Sequence, residues 1–220
     1  MRQSIMMLGP ALMILAGLQV MNSVPFTFLL FYGWLLAVPF GDLFGIQRKR
    51  WSEAMRYLGF LPHRTNVWLG MGLGLLFFLA IMLGGYFLQE ELFDKASLQA
   101  LLAKWHFSGD HVIWYMLILM LVNPFLEEMY WRGYVWRKLE GRFRPSTIML
   151  LTSLGYSVYH VLSVISLFAW PFNLIVMIPV FLAGMIWAMM RQLHRSLWGS
   201  IISHLLADAG IMGVYALFLA

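Results

Sequence analysis

The chain has 220 residues, of which 61% are hydrophobic and only 11% charged, against roughly 45–50% apolar and about 25% charged in soluble domains. An ordinary soluble domain is excluded, and with no cysteine so are disulfides, thiol nucleophiles and cysteine-held metals. In a chain this apolar, a net charge of +5 points to cytoplasmic loops and anionic lipid contact, so the expected partner surface is the bilayer and no nucleic acid.

A membrane-crossing helix needs about 20 largely apolar residues. Stretches without sustained charge run over 4–21, 24–45, 67–88, 111–132, 146–167, 171–190 and 196–218, which predicts an all-α, polytopic transmembrane bundle of about seven spans. Arg2 followed by a short apolar run has the outline of a signal peptide, but no small-residue cleavage pattern follows around residues 20–24, so the first stretch is read as an uncleaved helix. Residues 46–66 form a basic connector in which Trp51, Met55, Leu58 and Phe60 supply the apolar side of a short interfacial helix. The segment 89–110, with Glu90, Glu91, Asp94 and Asp110, is too polar to span, and Leu98 to Trp105 reads as a second interfacial helix. No internal repeat, low-complexity tract or linker divides residues 1–220, which are read as one transmembrane domain.

Lys-rich and Arg-rich loops stay cytoplasmic. With the N-terminus inside, the inner segments hold Arg2, then Arg48, Lys49, Arg50, Arg56 and Arg64, then Arg132, Arg137, Lys138, Arg142 and Arg144, then Arg191 and Arg195. Only Lys95 and Lys104 fall outside, and thirteen of fifteen on one side supports the span count, because one miscounted span inverts every later loop. The C-terminus is then expected outside. The compactness of the chain suggests a bacterial inner membrane.

A charge near the bilayer centre costs on the order of 2.5–3.5 kcal/mol on insertion scales, so an ionisable residue there is a functional candidate by default. Glu127, Glu128, His160, His204 and Asp208 lie within spans. At about 1.5 Å rise per residue, Glu127, His160 and His204 each fall within roughly 8 Å of the midplane, which brings three helices to one layer. Glu128 and Arg132 are four residues apart and can pair on one face, whereas Glu127, rotated by about 100°, is the freer base. Tyr156 and His160, and His204 and Asp208, repeat the four-residue spacing, so each histidine has an orienting group one turn away.

A glutamate withdrawn from water can take a proton from water near neutral pH, and a histidine N–H can stabilise the oxyanion of a tetrahedral intermediate. No cofactor is required for hydrolysis by that route. Glu127, His160 and His204 also suit a catalytic Zn2+ with an open fourth position, and the sequence does not separate the two mechanisms.

At this point the residues resemble a known family. Glu127-Glu128-Met129-Tyr130-Trp131-Arg132-Gly133 looks like the EExxxR motif of the CPBP intramembrane proteases, the group that contains the Ras-converting CAAX prenyl endopeptidase and bacteriocin-processing or immunity-linked bacterial relatives. Tyr156-Ser157-Val158-Tyr159-His160 stands where that family has FxxxH, with Tyr for Phe, and His204-Leu205-Leu206-Ala207-Asp208 looks like its Hxxx(N/D) motif. The resemblance covers about residues 111–212; residues 1–110 match only in being apolar and helical. It implies that Glu127 activates water with Glu128 and Arg132 in support, that His160 assists proton transfer, and that His204 with Asp208 stabilises the oxyanion. Tyr156 is the departure; its hydroxyl needs a partner, and it is carried as a substrate-side position. The family has also been described as metalloproteases, which keeps the zinc version in play.

Blander readings stand beside this one. The Glu pair can form surface salt bridges with Arg132 and Arg137, and a single buried histidine is often structural; three motifs in order argue against both. Asp42 reads as an interfacial cap or a partner of Arg48. Gly70, Gly72, Gly74, Gly84 and Gly85 read as ordinary close helix packing. The expected function is an intramembrane endopeptidase, of glutamate or metallo type, acting on a peptide or protein at the membrane. The competing readings are a proton-relaying transporter and a non-catalytic scaffold or immunity factor.

Overall fold

The computed structural model describes residues 3–219; Met1, Arg2 and Ala220, and with them the first cation of the charge count, lie outside the described residues. The order of elements is α1 (Ser4–Val20), α2 (Val24–Ile46), the short α3 (Trp51–Leu58), α4 (Arg64–Leu92), α5 (Lys95–Lys104), α6 (Gly109–Leu139), α7 (Pro145–Val164), α8 (Phe172–His194) and α9 (Trp198–Leu219). Six of them, α2, α4, α6, α7, α8 and α9, are long and apolar enough to cross a membrane, and α1 is a shorter apolar helix. The chain is therefore an all-helical polytopic bundle of about seven spans, as the hydropathy pattern predicts.

Local chemistry sets the boundaries. Ser23 caps α2 by accepting the Phe26 N–H at 3.3 Å, with Pro25 in the first turn where its missing N–H is harmless. Asp94 caps α5 and His63 caps α4 in the same way. The fourth apolar stretch ends later than predicted, at Leu139 rather than 132. Charge suggested an exit there, but the Arg132 side chain stays inside the bundle, paired with Glu128.

Contacts between helix ends reproduce the alternation of seven spans. At one end the Val24 N–H donates to the Trp105 carbonyl and the Ala169 N–H to the Leu92 carbonyl, both at 2.8 Å, and Gln99 donates to the Leu219 carbonyl at 3.1 Å. At the other, basic end, the Leu197 N–H donates to the Gly59 carbonyl at 2.9 Å and the Ser196 hydroxyl to the Leu61 carbonyl at 2.6 Å. Asp42 also lies at this end, but its partners are Lys138 at 2.6 Å and Gln47 at 2.7 Å rather than Arg48, whose backbone is left-handed at φ 51°. Helix α3 is present, with Ala54 and Leu58 buried beneath it and Trp51 left exposed, stacked on Phe44. Helix α5 buries Leu98, and Trp105 just after it is buried as well.

The most extensive helix pairing is α4 with α9, and glycine makes it possible. A Cβ on Gly70 would lie 2.2 Å from the Gly199 carbonyl oxygen, and one on Gly74 would lie 2.9 Å from the Ser203 Cα. Small residues four apart let the two backbones touch. Gly72 and Gly84 meet nothing, so the glycine stripe is split between a packing face and an open one. This close pairing fixes α9, and with it His204, against the rest of the bundle.

Candidate active site

Glu127 and Glu128 sit near the middle of α6, where Asn123–Glu128 is regular α-helix flanked by wider π-type turns at Ile118–Val122 and Met129–Val135. Such turns re-aim side chains relative to a regular helix. Both carboxyl groups point inward: Glu127 is 2% exposed and Glu128 is 0% exposed.

Glu128 is held through one oxygen, Oε1; its Oε2 is buried without a hydrogen-bond partner among the described residues. Its Oε1 accepts from Arg132 Nη1 at 2.8 Å, and His204 Nδ1 approaches the same oxygen at 3.3 Å. Arg132 is held in turn: Nη2 donates to the Gly184 carbonyl of α8 at 2.9 Å, and the guanidinium lies over the rings of Tyr156 at 4.7 Å and Trp187 at 5.4 Å. Gly184 allows this approach, since a Cβ there would stand 3.1 Å from Arg132 Nη2.

His204 is the hub. Its ring stacks on Trp187 with centroids 4.2 Å apart, and the Trp187 N–H is fixed by the Ser203 hydroxyl at 3.0 Å. Nε2 faces Glu127 Oε2 at 3.7 Å, Asp208 Oδ1 at 3.7 Å and the Tyr156 hydroxyl at 3.4 Å. Because Nδ1 is turned to Glu128, that carboxylate sets the imidazole orientation. The one-turn partner Asp208 stands at the other nitrogen and receives the Asn123 amide at 3.1 Å.

Glu127 Oε2 is buried with no hydrogen-bond partner. The Tyr159 hydroxyl faces Glu127, but makes no hydrogen bond of normal geometry. His160 lies one turn beyond Tyr156; its Nδ1 engages the Tyr156 carbonyl at 2.8 Å and its ring packs at 4.3 Å from the Tyr156 ring and 4.5 Å from that of Tyr159. The Tyr156 hydroxyl therefore serves His204, not His160. His160 and Asp208 are the partly exposed members, while the glutamates and His204 are sealed, so the centre between α6, α7 and α9 is closed at the glutamates.

All seven residues singled out in the sequence thus fall in one region between α6, α7, α8 and α9. Sequence reasoning missed Asn123, Tyr159, Trp187 and Gly184. Asn123, one turn before Glu127 and polar at the same depth, was the readable one; its Oδ1 accepts from Tyr32 of α2 at 3.3 Å. The others are apolar or aromatic residues in apolar spans, with no spacing that marks them. As for a metal, no group of three or more His, Asp or Glu among the described residues is arranged to hold one. A zinc held by Glu127, His160 and His204 would have to bind the two imidazoles through Nε2, since His204 Nδ1 is turned to Glu128 and His160 Nδ1 to a carbonyl, the outer contacts usual for ligating histidines.

A buried layer of carboxylates and imidazoles between membrane-length helices defines a polytopic membrane protein with an acid–histidine centre. Residues 109–210 match the family model described as Type II CAAX prenyl endopeptidase Rce1-like, in agreement with the motif resemblance. The general class is a CAAX-type intramembrane endopeptidase, with a membrane-associated peptide substrate and a lipid environment. Searches of curated proteins and of solved structures found no match.

Proposed function

We propose that the protein hydrolyses a peptide bond of a membrane-associated polypeptide by glutamate-activated water, with Glu127 as the base. The observation that carries this reading is the contrast between the two glutamates: Glu128 is held through Oε1 by Arg132 and His204, while Glu127 makes no side-chain hydrogen bond among the described residues and faces His204 Nε2 at 3.7 Å. In the reaction, water adds to the carbonyl carbon and gives its proton to Glu127. The oxygen that becomes negative is met by His204 Nε2–H and the Tyr156 hydroxyl, preorganised donors in a dry site. The C–N bond then breaks as Glu127 passes the proton to the leaving nitrogen, giving a carboxylate and an amine. Asp208 offsets positive charge on His204, and Glu128 and Arg132 act through His204 as positioning residues. His160, whose Nε2 is not engaged among the described residues, relays protons between this centre and its partly exposed side. The basic end is assigned to the cytoplasm, from the charge asymmetry.

The test is cleavage of a panel of fluorogenic membrane peptides by detergent-purified protein, with Glu127→Gln and His204→Ala beside the unaltered chain, each with and without chelator. Activity is expected to fall by at least about a hundredfold in both variants, as for loss of a general base or an oxyanion donor, and to survive the chelator. Loss to chelator alone restores the zinc mechanism. Cleavage unchanged in Glu127→Gln overturns the assignment of the base.

A further inference from the structure

At the basic end a cavity of about 550 Å³ opens between the end of α6, the start of α7, the end of α8, and α3. Four arginines line it, Arg56, Arg137, Arg191 and Arg195, against one carboxylate, Glu140. Glu140 is already committed: it accepts the Trp136 indole N–H at 2.7 Å and pairs with Arg137. Among the described residues, Arg56, Arg191 and Arg195 have no carboxylate within ion-pair distance.

Arg191 carries the argument. It is only 5% exposed, which is an unusual place for an unpaired guanidinium. Its Nε donates to the Arg132 main-chain carbonyl at 2.8 Å, while its Nη groups make no hydrogen bond among the described residues and border the cavity. The cradle behind it is built for this pose. Gly59, at φ 101°, lies so close that a Cβ there would stand 2.8 Å from the guanidinium carbon. A fixed guanidinium with two open N–H edges presents the forked geometry that a phosphate takes up. Arg56 and Arg195, both exposed, flank it as further cations. Phe143 and Trp136 in the same wall, at the level where helices leave the apolar zone, suit an amphiphile better than a fully hydrated ion.

We propose that this cavity binds a phosphate-bearing anion, supplied by the headgroup of an anionic phospholipid seated between the basic ends of α6, α7 and α8. The Arg191–Arg132 hydrogen bond ties the occupied cavity to the backbone of the residue that holds Glu128. The proposal stands apart from the peptidase reading, and its test measures binding, not cleavage.

The full chain, purified in detergent, is titrated in native mass spectrometry with phosphatidylglycerol, with phosphatidylcholine of the same acyl chains, and with phosphatidylglycerol in competition with inorganic phosphate. Phosphatidylglycerol is expected to bind in preference. Arg56→Gln with Arg195→Gln should weaken it by on the order of thirtyfold, from a factor of about five for each cation lost near an anionic group. Arg48→Gln with Arg50→Gln, which removes the same charge from the same end outside the cavity, should leave it nearly unchanged. Displacement by inorganic phosphate identifies the phosphate alone as sufficient, and resistance to it identifies the phospholipid as the ligand. Equal binding of the two lipids, or equal loss in the two double variants, overturns the proposal.

Discussion

Replacing Arg132 by methionine removes a cation from a site sealed from solvent. Arg132 and Glu128 are both 0% exposed, joined at 2.8 Å, and Arg132 also donates to the Gly184 carbonyl at 2.9 Å while lying over two aromatic rings. Methionine keeps most of the volume but leaves Glu128 facing only His204 and removes the added bond to the Gly184 carbonyl. Breaking a buried pair in this way costs about 3–5 kcal/mol, because the remaining charge is uncompensated. Glu128→Gln alone should cost less, about 2–3 kcal/mol, since an amide oxygen still accepts from Arg132 and His204. The double variant carries neither charge, so it should be more stable than the sum of the two by about 2–3 kcal/mol. A double-mutant cycle on denaturant unfolding in lipid bicelles measures that coupling. Additivity to within about 0.5 kcal/mol would refute the claim that the pair is a desolvated unit.

The helix pairing gives a paired test. Gly70→Leu collides with the Gly199 backbone and should cost about 1–3 kcal/mol or more by overpacking, whereas Gly72→Leu, which meets nothing, should stay within about 0.5 kcal/mol, both read in the same unfolding assay. Asn123→Leu leaves Asp208 and the Tyr32 hydroxyl without their shared partner and should destabilise by about 1–3 kcal/mol, with peptide cleavage reduced as well. Tyr156→Phe supplies the residue of the related motif. Because the hydroxyl contact to His204 is long at 3.4 Å, kcat should fall less than about tenfold with the fold unchanged by circular dichroism; a larger fall would promote that hydroxyl to a principal oxyanion donor.

The legible part of the fold is the part written in hydropathy. Apolar runs gave seven helices because lipid forces every backbone group into helical hydrogen bonds, and the charge asymmetry agrees with the alternation of helix ends. Boundaries failed where charge was satisfied inside the bundle: Arg132 looked like an exit and is buried, because its partner lies one turn back on the same face. In the site, spacing within one helix was readable, as for Glu128 with Arg132. Contacts between helices were not. The link from Glu128 to His204 joins residues 76 positions apart, and nothing in local spacing could prefer it over Asp208, four residues from His204. Trp187 and Gly184 are ordinary in an apolar span; only the packing of α8 gives them their tasks.

The closure of the centre is itself informative about the proposed reaction. With Oε2 and Nε2 3.7 Å apart, a water about 2.8 Å from each lies to one side of the line between them, and a substrate carbonyl beside it needs room that the sealed centre does not leave. In the proposed reaction, therefore, the centre opens to admit the peptide. His204 is poorly placed to move: Trp187 stacks on it, Glu128 holds Nδ1, and Arg132 binds that carboxylate to the backbone of α8. Glu127 has no such anchor on Oε2. In the proposed mechanism the side chain that swings aside is therefore Glu127, and the adjacent glutamate stays behind to keep the imidazole in place. Two carboxylates next to each other in the chain then divide the work by what holds them, the one immobilised and the other free to take a proton.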